Sequence, residues 1–326
     1  MTTPAFQSVL GPAIRSCLEL REALGYHDRG VRSLLAHFDR YVIATAHPDP
    51  WLTRELVDPW IAGEVALKPH SRAARRHAVR VLGHHLALTC PHTYVPLLVP
   101  GLRQTSDFRP HIYTPAEIGA LLGEASRLTP VGSLRPQTYV TLIGLLYSTG
   151  MRIAEALALQ LRDVDLDGGV LIIRQGKFHK SRAVPLQPDV TQALAAYLDQ
   201  RRHHRHRADS EAALFVNEWR RPCSYPVVVA TFLATARRAG IRGAPGHRGP
   251  RLHDLRHTFA VHRLLAWYRD GGDVQARLPW LSTYLGHVCL VSTQVYLDIT
   301  AELLQEAAQR FHAPQLLTTA AEGERL

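Results

Sequence analysis

Four cysteines in 326 residues, Cys17, Cys90, Cys223 and Cys289, stand far apart and form no C-x-x-C pair. That spacing indicates neither a disulfide framework nor a cysteine zinc knuckle, and it fits a reducing, cytoplasmic compartment. Long apolar runs are missing as well. The most apolar stretch, "YVTLIGLLYSTGM", is shorter than the roughly 20 residues a bilayer-spanning helix needs, so it reads as a buried helix and no membrane partner is expected. The opening "MTTPAFQSVLGPAIRS" lacks a basic segment followed by an apolar core, so no secretory signal is expected either. Lysine is scarce: only three of the 38 basic residues are lysines, and the rest are arginines. Arginine's planar fork suits two-pronged binding of phosphate oxygens. Against 28 acids the net charge is +10, which makes a polyanion such as nucleic acid the first partner to consider. A solubility charge, or the arginine bias of a GC-rich genome, is the plainer account of the same numbers.

The length suffices for about two domains at roughly 150 residues each. From Leu10 to about His92, apolar residues recur at three- and four-residue intervals, with breaks at "HPDP" and "KPHS", so a helical first domain is expected over residues 1–103. In its last helical segment, "SRAARRHAVRVLGHHLAL", Arg72, Arg76 and Arg80 share one face, while Ala74, Ala78, Val81 and Leu82 lie toward another. Such a stripe can rest on a DNA backbone or can be a solvated face. The proline-rich stretch from about Pro91 to Pro110 has no period and reads as a link between domains, assigned to residues 104–112.

The second domain, residues 113–326, opens at "YTPAEIGALLGEA", where Thr114 is an N-cap, Pro115 the first helical residue and Glu117 completes a capping box. A buried helix, "QTYVTLIGLLYSTG", and an amphipathic one, "RIAEALALQL", follow. The period then changes: "GGVLIIRQG" and "SRAVPLQ" are short β-rich runs around "KFHK", an antiparallel hairpin with a basic tip. Helices resume to about residue 312, before a polar tail. The run "RRHHRHR" at 201–207 reads as a solvated helix end or, less favoured, a phosphate contact. The expected fold class is mainly α with a small antiparallel sheet.

Three places hold polar residues that folding alone does not require. Arg152 follows Gly150 at the start of a helix whose apolar face is Ile153, Ala156, Leu157 and Leu161, and it can hold an anion there or simply pair with Glu155. Lys177 and Lys180 project from the hairpin tip, where a lysine is usually solvated but can act as general acid if neighbouring cations lower its pKa. "RLHDLRHTFAVH" sets His253 and His257 one turn apart around Arg256, a spacing that suits zinc or phosphate, and "YLGHVCLVSTQVYLDI" adds His287 and Tyr296.

Taken in order, "TGMRIAEAL", "GKFHKSRAVPL", "HDLRHTFA", "YLGH" and "TQVYL" resemble the tyrosine recombinases, also called the phage integrase family, across the whole second domain. The first domain resembles the core-binding domain with which those proteins complete a clamp around DNA. The resemblance implies that Arg152 and Arg256 grip the scissile phosphate with His253 as the third member beside them. It implies that Lys177 protonates the departing 5′ hydroxyl, that His287 is the "LGH" histidine and that Tyr296 is the nucleophile. Glu155 and His257 match supporting positions. Lys177 ranks above Lys180 because it directly follows Gly176, which leaves Lys180, with Arg72, Arg76 and Arg80, as expected DNA contacts. Double-stranded DNA, four protomers on two sites, and no metal or cofactor are further implications. The segment after Tyr296, "TAELLQEAAQRF", reads as an amphipathic helix that docks on a neighbouring protomer or packs on its own domain.

Two features depart from the family pattern. Phe178 stands where the commoner hairpin tip has a second glycine, implying a stiffer tip or one that packs a base or a neighbouring strand. The interval from Arg256 to His287 is long because "AWYRDGGDVQARLPW" adds a loop, an arrangement more similar to recombinases of transposons and other mobile elements than to Xer-type resolvases.

The chemistry agrees with the resemblance. Attack by a phenol on a phosphodiester concentrates negative charge on the non-bridging oxygens, and fixed guanidinium donors stabilise it without reorganising. A tyrosine, with an ordinary pKa of about 10, needs a cationic setting or a base to attack. Rival readings are a zinc hydrolase on His253 and His257, a non-catalytic DNA-binding relative, and a type IB topoisomerase. The first lacks a third ligand, offers Asp254 where a glutamate base is usual, and has Arg256 in place to repel a dication.

Overall fold

The computed structural model describes residues 6–26, 28–63, 67–97, 110–174 and 181–286, together with Thr293, Tyr296 and Leu303. The chain divides into two compact units, residues 1–108 and 109–326.

The first unit packs α1 (Gly11–Ala23), α2 (Arg29–Ala44), α3 (Arg54–Ala62) and α4 (Pro69–Leu86) around Ile14, Leu35, Phe38, Val57, Trp60 and Leu82. Buried Asp39 on α2 accepts from the backbone N–H groups of Gln7 and Ser8 and from the Ser8 hydroxyl, which ties down the segment before α1. The proline-rich stretch after α4 is not all linker. Leu52 donates to the Thr93 hydroxyl, and the Tyr94 N–H donates to the Leu52 carbonyl at 2.7 Å, so the stretch folds onto this unit at least as far as Pro96, whose carbonyl accepts from Arg80. Its prolines conceal the pairing because the partners lie about 40 residues away in the chain.

The second unit opens with α5 (Pro115–Ser126). Its capping box forms as expected, the Thr114 hydroxyl accepting from the Glu117 N–H while the Glu117 carboxylate accepts from the Thr114 N–H. Next come the largely buried α6 (Arg135–Thr149) and the short α7 (Ile153–Ala158). α7 ends earlier than the apolar pattern predicts, and Leu161 lies beyond it in a 3-10 turn, because the backbone of Leu159 and Leu161 pairs with Leu214 and Ala212. Strands β1 (Val164–Asp165), β2 (Val170–Ile173) and β3 (Arg182–Pro185) form an antiparallel sheet in that order, with Leu171 opposite Val184. The hairpin is the expected one. β1 is an addition, too short to show a period of two.

Helices α8 (Pro188–His203), α9 (Tyr225–Arg238), α10 (Asp254–Arg269) and α11 (Val274–Leu285) complete the described part. α5, α6, α8 and α9 close over a core that includes Leu121, Leu142, Tyr197, Phe215 and Phe232. Two expectations need correction here. The "RRHHRHR" run is not a wholly solvated helix end: Arg201 is 2% exposed and donates to the carbonyls of Arg207 and Ala213, and His206 is buried with it. The "AWYRDGGDVQARLPW" insertion is not a loop. It supplies the end of α10, a four-residue turn and the first half of α11, which Asp273 caps by accepting from the Ala276 N–H. Among the described residues no helix is long and apolar enough to cross a membrane.

Candidate active site

α6 ends at Gly150, whose φ of +61° is the left-handed conformation that glycine adopts without penalty. A Cβ at this position would lie 2.5 Å from the Phe259 ring, so the missing side chain also lets α10 come close. Two residues on, Arg152 caps α7. Its N–H donates to one Glu155 oxygen at 2.9 Å, and its guanidinium donates to the other at 2.8 Å and to the Gly286 carbonyl at 3.1 Å. The helix-surface pair that the sequence allowed is therefore real, and it leaves the guanidinium partly exposed.

Arg182 joins the same carboxylate from β3. Its two terminal nitrogens donate to Glu155 at 3.2 and 2.8 Å, and its Nε donates to the Tyr284 carbonyl at 2.9 Å. The sequence reading missed this residue. The signal was there: Arg182 stands two positions from Val184, so in a strand it shares the inward face with a core residue.

Arg256, 3% exposed on α10, reaches across the site, donating to the Gly150 carbonyl at 2.7 Å and the Leu285 carbonyl at 2.8 Å. The Tyr296 hydroxyl lies within the field of the same guanidinium, which pulls its proton affinity down. No carboxylate among the described residues is salt-bridged to Arg256. Its charge is offset only at a distance, by Glu155, and a buried guanidinium so placed favours an anion beside it. His253 stands at the head of α10, its ring 5.0 Å from the His257 ring and perpendicular to it, and the His257 ring meets the Tyr296 ring at 5.5 Å. Asp254, the candidate carboxylate of the zinc reading, is buried and accepts from the N–H and guanidinium of Arg251.

The electrostatics follow from burial and crowded positive charge. Burial pushes the Glu155 carboxyl up, but hydrogen bonds from Arg182 and from the Arg152 backbone outweigh it and hold the group below its ordinary range. Burial, then the neighbouring Arg152, brings Arg256 down to about 10. His257 falls to about 4, mainly through burial and next through His253. His253 is also lowered, by partial burial and then by Arg256. Tyr296 is raised: burial outweighs the opposing pull of Arg256 and Arg152, so the resting phenol keeps its proton.

Of the expected site residues, Arg152 pairs with Glu155, the His257 ring touches those of His253 and Tyr296, and the charges of Arg152 and Arg256 both act on the Tyr296 hydroxyl. Lys177, Lys180 and His287 lie outside the described residues. In the first unit, α4 turns Ala78, Val79, Leu82 and Leu86 into the core, while Ala74, expected on the apolar side, is exposed because the helix start overhangs the core. Arg72 is exposed and Arg76 partly so. Arg80 is engaged by the Pro96 carbonyl.

The phage integrase family model matches residues 113–302. An integrase/recombinase named y4rB from Sinorhizobium fredii is 37% identical over 93% of this chain and 97% of its own length. The tyrosine recombinase XerD of Bifidobacterium longum is 31% identical over 82% of the chain and 84% of its own. Among solved structures, the integrase of transposon Tn1549 in complex with transposon right-end DNA covers 94% of the chain and 100% of its own, with a TM-score of 0.65 at 16% identity, a likeness of fold. Two anchored arginines acting on a buried tyrosine therefore sit in a chain that belongs to the phage integrase family, the tyrosine recombinases.

Proposed function

We propose that this recombinase cuts and rejoins double-stranded DNA through a 3′-phosphotyrosyl intermediate, in the integration, excision or transposition of a mobile element. The observation that carries the reading is the buried Arg256 guanidinium, held by two backbone carbonyls and acting on the Tyr296 hydroxyl, with Arg152 fixed by Glu155. A scissile phosphate seated between Arg152 and Arg256 places its phosphorus within reach of the phenol. The two guanidiniums stabilise the charge that builds on the non-bridging oxygens, and their own bonds to carbonyls and carboxylate hold them in place before the reaction starts.

Tyr296 attacks, the P–O5′ bond breaks, and the 5′ oxygen takes a proton from Lys177, with His253 and His287 completing the phosphate's surroundings. The ester with tyrosine conserves the bond, so a second 5′ hydroxyl can reverse the step on a new strand without ATP. Joining two duplexes takes four cleavages, hence four protomers. The likeness to relatives crystallised with their DNA sites, the XerH recombinase bound to difH and the Tn1549 integrase with its transposon end, supports a DNA substrate here. Binding is expected to weaken steeply with salt as counterions are released.

The test is incubation with nicked suicide duplexes carrying candidate element ends, followed by denaturing electrophoresis. A covalent protein–DNA adduct that Tyr296→Phe abolishes is the expected result. An adduct that persists in Tyr296→Phe removes the nucleophile assignment, and relaxation of plasmid lacking any special site, with no recombination of paired sites, identifies a topoisomerase instead.

A further inference from the structure

Nδ1 of His257 is buried and has no hydrogen-bond partner among the described residues. A buried polar atom left unpaired is destabilising, so its place beside a reactive group points to a partner gained during the reaction. The imidazole is wedged between two groups of the site, the His253 ring at 5.0 Å and the Tyr296 ring at 5.5 Å. Tyr296 meanwhile lies in the field of the Arg256 guanidinium, the donor that the scissile phosphate needs in the reading above. A charged phosphate oxygen is a stronger acceptor for a guanidinium than a neutral phenol oxygen, so DNA takes Arg256 in preference to the phenol.

We infer that His257 is a catalytic residue that serves the nucleophile: when the phosphate takes Arg256, the Tyr296 hydroxyl donates its hydrogen bond to Nδ1 of His257. The inference rests on the strand-cleavage reading. It gives the phenol a fixed acceptor that turns an oxygen lone pair toward phosphorus. As the Oη–P bond forms, the phenol proton moves to Nδ1 and the P–O5′ bond breaks. The electron pair of that bond stays on the 5′ oxygen, which takes its proton from Lys177, and the reverse step returns both protons. Nδ1 can accept only in the neutral ring with the proton on Nε2. Burial, His253, Arg251 and Arg256 keep the ring neutral against the opposing charge of Asp254, which is the charge state the acceptor role requires. The approach of a phosphodiester anion then offsets part of the local positive charge and makes the nitrogen a better acceptor.

The experiment measures the rate of adduct formation on the suicide duplex that the unaltered chain cleaves, for His257→Leu and His257→Asn. Each is assayed on ordinary DNA and on DNA whose scissile 5′ oxygen is replaced by sulfur, a leaving group that needs no acid. Gel-shift affinity and thermal unfolding are recorded for each variant. His257→Leu fills the site without an acceptor and is expected to slow adduct formation about 10–100-fold, with DNA affinity unchanged. His257→Asn, whose side-chain oxygen falls near the place of Nδ1, is expected to recover most of that rate. The sulfur substrate is expected to rescue Lys177→Ala and leave His257→Leu slow. Unaltered rates in His257→Leu, rescue of that variant by sulfur, or an Asn variant that folds and binds but is as slow as Leu would each overturn the inference. If the unaltered chain forms no adduct on any duplex, the cleavage reading fails first and the inference falls with it.

Discussion

Arg256 donates to the carbonyl of Gly150, a residue 106 positions earlier in the chain, and thereby locks α10 onto the C-terminal cap of α6. Its second fork nitrogen does the same for Leu285 at the end of α11. One side chain therefore joins three helix ends and also faces the proposed phosphate. Arg256→Lys keeps the charge but not the fork, leaving at least one buried carbonyl without a donor. Equilibrium unfolding in urea should show a loss of about 2–4 kcal/mol, together with loss of adduct formation. An unchanged midpoint would show that the carbonyl bonds are incidental.

Arg182→Gln removes the second guanidinium fork that holds Glu155. The carboxylate then has one arginine partner rather than two, and the Arg152 guanidinium loses a fixed reference. Because Arg182 is not placed on the phosphate, DNA affinity should stay close to that of the parent while single-turnover cleavage slows about 10–100-fold. A parallel loss in affinity would move Arg182 from a supporting position to a direct DNA contact.

Local chemistry explains which features the sequence disclosed. The helices of both units follow from apolar spacing, α5 from its Thr114 and Glu117 capping box, and the hairpin from its change of period. Arg152, Arg256 and Tyr296 were legible as an ordered set, and the structure brings them together. What stayed hidden depends on partners far away in the chain. Arg182 matters because Glu155 sits 27 residues earlier, Arg201 is buried because two loop carbonyls need its donors, and α7 stops at Ala158 because residues 212–214 compete for its backbone. The inserted residues before His287 looked like a loop because "RDGGD" carries turn residues, yet the apolar positions beyond it, Val274, Leu278 and Leu281, are spaced for a helix and pack as one.

Gly150 and Gly286 both have positive φ, and alanine at either position costs about 1–2 kcal/mol from the backbone alone. Their surroundings separate them. A methyl on Gly150 runs into the Phe259 ring in the core, whereas one on Gly286 meets the Arg182 guanidinium at 2.7 Å. Gly150→Ala should therefore be destabilising by about 3 kcal/mol or more, since a packed ring cannot yield cheaply. Gly286→Ala should lose less stability but slow cleavage as Arg182→Gln does. Equal effects of the two variants on both readouts would refute the distinction.

His257 provides a pH test with a definite sign. Its folded pKa of about 4 lies below the ordinary value of about 6.5, so between these limits the unfolded chain binds a proton that the folded chain excludes. Stability therefore rises with pH across this window. It falls as the pH drops from about 6.5 and levels off below about 4, a total of at most about 3.4 kcal/mol, less whatever solvent screening removes. Above 6.5 the residue contributes no slope. Denaturant titrations at several pH values should show the slope in the parent and a flatter profile in His257→Leu.

The arginine stripe of α4 splits into different roles. Arg72 and Arg76 pair with no carboxylate among the described residues, the first exposed and the second partly so, whereas the Arg80 guanidinium donates to the Pro96 carbonyl and fastens the segment after α4. If Arg72 and Arg76 meet DNA phosphates, replacing either by alanine should lower the slope of log affinity against log salt by about one, uniformly across DNA sequences. Arg80→Ala should leave that slope alone and instead cost the first unit about 1 kcal/mol, seen as a lower unfolding midpoint. A lower salt slope in Arg80→Ala, with the unfolding midpoint intact, would mean that the Pro96 bond yields to phosphate and that the stripe acts as one surface.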